Sequence, residues 1–248
     1  MNSGFWFNKV VILSMLYFIN YCTGYLVRNK NVKVNYTRKI NHFSLFFLPV
    51  FIERFLSFEP TPVNYLIGCI MGVASLLVYL HPVRSRIPAV NQMFASFDRP
   101  EDRPYTMLWL ITQVIGGYFV MTVFIGVFIR LDCMALIFIP VFINGIGDGL
   151  AEPVGIRFGK HKYKTRALFS KEKYERSLEG SACVFITSIL VVFAFNSYFT
   201  MPEFITILIA MPVLMTLAEA FSPHTWDTPF LYLTGFSIIA VVKSGIIF

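Results

Sequence analysis

Residues 145–160 read GIGDGLAEPVGIRFGK and join the apolar run from Cys133 to Ile146 to the most basic part of the chain. Asp148 and Glu152 are four residues apart, so on a helix both carboxylates lie on one face. The glycines allow a close approach between the backbone and a ligand. Carboxylates beside cations at a membrane surface are what a magnesium–nucleotide site requires. This segment is therefore the first candidate site.

The composition is that of a membrane protein. The 248 residues are 56% hydrophobic and 14% charged, with a mean hydropathy of +0.65, whereas a soluble domain carries about 25% charged residues. Apolar runs of about 20 residues recur, and each is long enough to cross a bilayer as a helix. We therefore expect an all-α fold, a polytopic integral membrane helix bundle.

The hydropathy pattern predicts about eight transmembrane helices, at 5–27, 43–58, 63–81, 107–129, 133–150, 180–199, 203–221 and 229–247. The first run lacks a basic flank and a small-x-small cleavage site, so we expect it to be a retained span rather than a signal peptide. The second run is short and carries Glu53 and Arg54. No fixed-period repeat or long linker is visible, which predicts a single membrane-embedded domain over residues 1–248.

Charge predicts the orientation. Seventeen of the 21 Lys and Arg residues lie in segments 28–42, 82–106 and 151–179, which the eight spans place on one face. The positive-inside rule makes that face cytoplasmic and both termini non-cytoplasmic. The membrane would be a bacterial inner membrane or a eukaryotic endomembrane, and the sequence leaves the oligomeric state open.

Composition also limits the partners. Topology and anionic lipid headgroups account for most of the net charge of +7, so we expect no nucleic-acid partner. The four cysteines are dispersed without a CxxC pair, which indicates neither a disulfide framework nor a zinc site. The hydropathy pattern requires one partner, which is the lipid bilayer.

Every polar cluster suited to catalysis or ligand binding lies on the predicted cytoplasmic face. Arg38, Lys39 and His42 are close enough along a helix to share one surface. Glu219 is flanked by apolar residues, and a carboxylate in such a place is a functional candidate. We expect the charged turn at 98–103 to be ion-paired and solvated, and the stretch 161–176 to lie along the membrane surface.

Two interpretations of residues 145–160 remain open. In the first, Gly145, Gly147 and Gly149 expose amides to phosphate, while Asp148 and Glu152 hold a divalent ion. In the second, the glycines serve close helix packing, since Gly155 and Gly159 have the small-xxx-small spacing. A Rossmann or Walker-type site is disfavoured because no matching motif exists.

Four segments together resemble the polyprenol kinase family, which includes dolichol kinase, phytol kinase and the CTP-dependent diacylglycerol kinase. They are Arg38-Lys39-x-x-His42, the glycine-rich stretch 147–160, Glu179-Gly180-Ser181, and Glu219-x-x-Ser222-Pro223 followed by Asp227-x-Pro229. The glycine–aspartate stretch is also similar to the signature of phosphatidate cytidylyltransferases. The resemblance covers about residues 38 to 229.

The resemblance implies phosphoryl transfer from CTP to the hydroxyl of a membrane lipid alcohol, with Mg²⁺ as cofactor. The implied catalytic residues are Asp148, Glu219 and His42. Those for the metal are Asp148, Glu152, Glu179 and Asp227. Those for the nucleotide are Arg38, Lys39, Gly147, Gly149, Gly155, Arg157, Gly159, Lys160, Arg176, Glu179 and Gly180.

The chain departs from the family pattern in two places. Arg176 stands where the family usually has Lys, and Thr228 stands where it has Asn after Asp227. Arg contacts phosphate with a different geometry from Lys. Losing the Asn weakens the implied metal or base contact near Asp227.

Two rival functions stay open at this point. Cytidylyl transfer from CTP to a phospholipid acid would use a similar acidic, glycine-rich site. A transporter would instead place polar residues and broken helices near the bilayer midplane. The concentration of polar clusters at one interface favours an enzyme over a transporter.

Overall fold

The computed structural model describes residues 3–59, 61–169 and 171–245, so the end of the last predicted span, 246–247, lies outside the described residues. The chain is mostly helical. The helices are α1 Ser3–Lys30, α2 Val34–Phe55, α3 Pro62–Leu76, α4 His81–Arg84, α5 Pro88–Ala95, α6 Thr106–Arg130, α7 Phe138–Phe142, α8 Gly149–Phe158, α9 Leu178–Ala194, α10 Met201–Phe221 and α11 Asp227–Lys243. Two strands, β1 Lys162–Arg166 and β2 Lys173–Ser177, form the sheet in the described residues.

Five helical segments of the described chain are long and apolar enough to cross a membrane: Gly4–Lys30, Pro62–Tyr79, Thr106–Arg130, Met134–Phe158 and Met201–Phe221. This agrees with a polytopic helical membrane protein. The helix predicted at 43–58 instead runs from Val34 to Phe55 and includes polar and charged residues in its first half, and it is not among these five. The count of eight spans and the placement of the termini stay predictions.

The chain divides into two compact units, one ending at Ile111 and one beginning at Thr112. In the N-terminal unit, α1 packs against α2 and α5. Tyr79, Phe94 and Phe97 form an aromatic cluster with ring centroids 5.0 to 6.4 Å apart. Apolar burial of this kind is the main stabilising term of such a core.

Polar side chains also join the helices of the N-terminal unit. Thr37 donates to the carbonyl of Ser96 at 2.8 Å, and Asn41 Nδ2 donates to Ser96 Oγ at 2.7 Å. In the charged turn, Arg103 pairs with Asp98 at 2.8 Å. Arg99 pairs with Asp102 at 2.7 Å, and both are buried, at 5% and 2% exposed. The expected ion pairing is present, but this second pair is not solvated as predicted, because the turn folds it inward.

In the C-terminal unit, the helical segment Met134–Phe158 lies at the centre. Of its most apolar 18 residues, 56% are buried, compared with 6% of the corresponding residues in Thr106–Arg130. It passes from α7 through a π-helical turn, Ile143–Asp148, into α8. π-helical turns are rare and often occur at functional sites. The turn places Asp148 at the boundary between the two helical geometries.

The basic stretch after α8 forms an antiparallel hairpin, with Tyr163 opposite Arg176 and Thr165 opposite Tyr174. The sequence analysis assigned no strands here. Alternation of polar residues with Tyr163, Thr165 and Tyr174 has the period of two that suits a strand with one buried face. The fold is therefore the expected helical bundle, with one small hairpin added to it.

The turn between α10 and α11 packs against this hairpin. The backbone N–H of His224 donates to the carbonyl of Arg166 at 2.8 Å. The rings of Tyr174 and His224 stack with centroids 3.8 Å apart. The hairpin is thus held against the ends of the last two long helices.

Candidate functional site

Glycines on both sides of the contact pack the π-helical turn and α8 against the start of α9. A Cβ on Gly147 would lie 3.0 Å from the Cα of Val184, and one on Gly180 would lie 2.6 Å from the carbonyl oxygen of Ala151. A Cβ on Gly155 would likewise lie 2.8 Å from Oγ of Ser177. The two helices approach as closely as small residues permit. This is the packing interpretation, and the predicted phosphate contacts of Gly147, Gly149, Gly155 and Gly180 stay predictions.

The two carboxylates of this segment lie one turn apart. Asp148 ends the π-helical turn and is 6% exposed, while Glu152 lies in the first turn of α8. The buried position of Asp148 would be unfavourable for an isolated charge. Its carboxylate is close enough to Glu219 of α10 for the two charges to interact. Two acids predicted separately are thus neighbours in space.

A cavity of about 510 Å³ opens where α8 ends. Its lining consists of Arg157, Phe158, Gly159, Lys160 and Glu179. Four of these five were predicted to contact the nucleotide. Arg157 and Lys160 outweigh the single negative charge of Glu179 and leave the lining with one positive charge in excess, which suits an anion.

Glu179 is the acidic member of this cavity. Its carboxylate accepts from the backbone N–H of Lys160 at 3.1 Å and of His161 at 3.2 Å, and from His161 Nδ1 at 2.8 Å. Hydrogen bonds from its own backbone N–H, from the His161 side chain and from these amides lower the pKa of Glu179 to about 2. The carboxylate therefore stays ionised and occupies donors that would equally suit a phosphate oxygen.

A buried polar cluster of the C-terminal unit centres on Arg176. Its guanidinium donates to Glu219 Oε1 at 2.9 Å, to Asp227 Oδ1, to Ser222 Oγ at 3.3 Å, and to the carbonyl oxygens of Glu219 and Ser222. The Arg176, Glu219 and Asp227 side chains are only 11%, 6% and 10% exposed. Burial alone lowers the pKa of Arg176, but the negative charges of Asp227 and Glu219 raise it above its usual value. The guanidinium is therefore a permanent cation joining β2 to α10 and α11.

Hydroxyl groups extend this cluster towards the hairpin surface. Ser181 Oγ donates to Glu219 Oε2 at 2.7 Å, and Ser181 Oγ lies 2.7 Å from the phenol oxygen of Tyr163. Ser222 Oγ contacts Asp227 Oδ1 at 2.6 Å. A continuous hydrogen-bonded path thus leads from half-buried Tyr163 to the buried carboxylate of Glu219.

Tyr163 is not among the residues predicted from the sequence. Its signal was the alternation of Lys, Tyr, Lys, Thr and Arg over residues 162–166, which predicts that Tyr163 and Thr165 share one face of a strand. Arg176 was predicted to bind phosphate. Its observed contacts are with carboxylates, hydroxyls and carbonyls of the protein, and the phosphate role stays a prediction.

Three candidates lie in the N-terminal unit. Lys39 is buried at 3% exposed, and Arg38 is partly exposed, one position earlier on α2. The ring of His42 lies 4.7 Å from that of Phe46 on the same helix. The predicted meeting of Arg38, Lys39 and His42 with the glycine-rich segment stays a prediction.

Magnesium is the metal that the family resemblance implies for the acids of the C-terminal unit. Within the described residues there is no group of three or more His, Cys, Asp or Glu side chains placed to hold a metal. Magnesium commonly takes only one or two carboxylates and completes its shell with phosphate oxygens and water. Asp227 and Asp148 add negative charge around Glu219, and the guanidinium of Arg176 opposes it. The carboxylates of this unit are the donor type that magnesium prefers.

Comparison of the chain with protein-family models, with curated proteins and with solved structures gives no match.

Proposed function

We propose that this protein transfers the γ-phosphoryl group of CTP to the hydroxyl of a membrane lipid alcohol, such as a polyprenol, phytol or diacylglycerol, with Mg²⁺ as cofactor. The observation that carries the proposal is the cavity beyond α8. Residues chosen from the sequence as nucleotide contacts, among them Arg157, Lys160 and Glu179, line this one cavity.

The proposed topology has about eight spans, with both termini on the non-cytoplasmic side and the cavity on the cytoplasmic side. The charge bias supports this orientation, since segments 28–42, 82–106 and 151–179 hold most of the cations. CTP would then reach the site from the cytoplasm. The lipid hydroxyl would enter from the bilayer between apolar helices.

Arg157 and Lys160 would bind the triphosphate and stabilise the charge that builds on its oxygens during transfer. The backbone N–H groups of Lys160 and His161 donate to Glu179 and would bind a phosphate oxygen only in place of that carboxylate. Positioning and electrostatic stabilisation are the main demands of this chemistry. The lining of the cavity supplies both.

Asp148 and Glu152 would hold the magnesium ion of the nucleotide, with Glu179 or Asp227 as further ligands. When bound, the ion would neutralise part of the negative charge on the phosphates of the nucleotide. In the reaction, the lipid oxygen bonds to the γ-phosphorus and the bond to the bridging oxygen breaks, which releases CDP. The hydroxyl proton passes to a base, for which Asp148, Glu219 and His42 are the candidates.

The test is an assay of the purified chain with γ-labelled CTP, with γ-labelled ATP, and with a panel of lipid alcohols. We expect label on a lipid alcohol and release of CDP. Release of pyrophosphate with formation of a CDP-lipid would identify cytidylyl transfer instead. Transport of solute in proteoliposomes without nucleotide would identify a transporter.

Substitution of Asp148 tests the proposed metal site. Asp148→Asn keeps the size of a buried side chain and removes its charge, so we expect CTP-dependent activity to fall at least about a hundredfold. Glu175→Gln is the matched control, because Glu175 is more than half exposed and pairs with exposed Lys162 in the hairpin. Full activity in the Asp148 variant would contradict the assignment.

A further inference from the structure

A second cavity lies wholly within the N-terminal unit. It measures about 410 Å³ and lies between the end of α1, the start of α2, α5 and the turn at 98–103. None of the residues predicted for nucleotide or metal lines it. It is therefore a separate feature from the candidate active site.

The cavity has an apolar floor and a charged rim. Val27, Val34, Phe94 and Ala95 supply the apolar lining, and Phe94 also belongs to the aromatic core. A floor of this kind suits a ligand that carries hydrocarbon close to its charged group. A small inorganic ion would leave these side chains uncovered.

Two arginines form the cationic part of the rim. Arg28 Nη2 donates to the carbonyl of Asn91 at 3.0 Å, which fixes the guanidinium at the last turn of α1. Arg103 Nε donates to Asp98 at 2.8 Å, and its side chain is 59% exposed. A guanidinium has more N–H donors than either bond uses. Both arginines can thus offer donors to an anion in the cavity.

The charge of the rim favours an anion. Arg28 and Arg103 are opposed by Asp98, which leaves one positive charge in excess among these lining residues. The carboxylate of Asp98 is already bound by Arg103 and by the hydroxyl of Thr106 at 2.8 Å. Its repulsion of an anion is reduced by these contacts.

The position of the cavity identifies the source of the anion. Arg28 lies in the last turn of a helix that is long and apolar enough to cross the membrane, Gly4–Lys30. The end of such a helix lies at the level of lipid headgroups. Basic pockets at this level bind the phosphate of anionic lipids.

We propose that the cavity formed by Arg28, Arg103 and their apolar neighbours binds the phosphate of an anionic phospholipid, whose glycerol and upper acyl chain cover the floor. This site does not depend on the proposed catalytic activity. It would make the N-terminal unit responsive to the anionic lipid content of the membrane.

The test is a titration of the full chain, purified in a neutral detergent, with short-chain phosphatidylglycerol and with phosphatidylcholine of the same chain length. We expect saturable binding of phosphatidylglycerol and much weaker binding of phosphatidylcholine. The double variant Arg28→Gln, Arg103→Gln should weaken phosphatidylglycerol binding at least roughly tenfold, because two charge-assisted contacts are lost. Equal binding of the two lipids would overturn the proposal.

Two further variants separate the cavity from general surface charge. Arg86→Gln removes an exposed cation outside the cavity, and we expect less than about a twofold change at physiological salt. Asp98→Asn keeps an acceptor for Thr106 and removes the opposing charge, so it should strengthen binding. Weaker binding in the Asp98 variant, or equal losses in the Arg86 and double variants, would contradict the proposal.

A competition experiment with inorganic phosphate identifies the source of the phosphate group. Inorganic phosphate, added in large excess over the lipid, should leave phosphatidylglycerol bound, because it cannot cover the apolar floor. Displacement at concentrations comparable with the lipid would show that the cavity binds free phosphate, and the lipid assignment would be wrong.

Discussion

Removal of Arg176 should destabilise the protein strongly. The guanidinium is the cation that both Glu219 and Asp227 contact, and the side chains of all three are at least 89% buried. Arg176→Met keeps much of the side-chain volume and leaves two buried carboxylates without this partner. Breaking a buried ion pair in this way typically costs about 3–5 kcal/mol.

The assay is thermal unfolding of the purified protein in detergent, followed by tryptophan fluorescence. For a chain of this length, 1 kcal/mol shifts Tm by about 2–4 °C, so we expect a loss of roughly 6–20 °C. Lys162→Met is the matched control within the same hairpin, because its pair with Glu175 is 60% and 55% exposed. Solvated pairs of this kind contribute little, and Tm should hardly move.

A compensating variant tests the physical cause. Adding Glu219→Gln and Asp227→Asn to Arg176→Met removes the uncompensated charges, so part of the lost stability should return. The reasoning is refuted if Arg176→Met shifts Tm no more than Lys162→Met does. It is equally refuted if neutralising both acids lowers Tm further.

Two other predictions concern the same unit. Gly180→Ala should lower Tm, because the added Cβ would lie 2.6 Å from the carbonyl oxygen of Ala151 and force α8 and α9 apart. Gly126→Ala in α6 is the control, since its added Cβ meets nothing within 4 Å and should be tolerated. Equal Tm values for the two variants would contradict the packing interpretation. Burial raises the pKa of Tyr163 above its usual 10, so the stability contributed by its neutral phenol is complete below pH 10 and declines as the pH rises further. The Tm advantage of the native protein over Tyr163→Phe should therefore shrink above pH 10, and a constant difference across that range would contradict it.

Part of the candidate site can be predicted from the sequence. Gly145 to Lys160 was selected because glycines and acids break an apolar run beside a cluster of cations. Glu219 was selected because a carboxylate among apolar residues requires a partner. Both signals are local, within a window of about 20 residues.

The partner of Glu219 cannot be predicted from local sequence signals of this kind. Arg176 is 43 residues from Glu219 and 51 from Asp227 along the chain. Its assignment as a phosphate contact followed from its charge and the family resemblance, neither of which indicates what lies beside it. The hairpin brings Arg176 to the two acids, and the sequence analysis contained no hairpin.

The sequence alone determined that the protein is built from apolar helices, because an apolar run of about 20 residues with few charges is stable only where its backbone hydrogen bonds are internal. It also limited the candidates for a site to a small set of acids and cations, since charged residues make up only 14% of the chain. The tertiary structure decided that the glycines of residues 147–159 pack α8 on α9, and that Arg176 neutralises Glu219 and Asp227. Those relations depend on contacts between residues distant in the chain, and close packing and charge pairing arise only when the helices and the hairpin have come together.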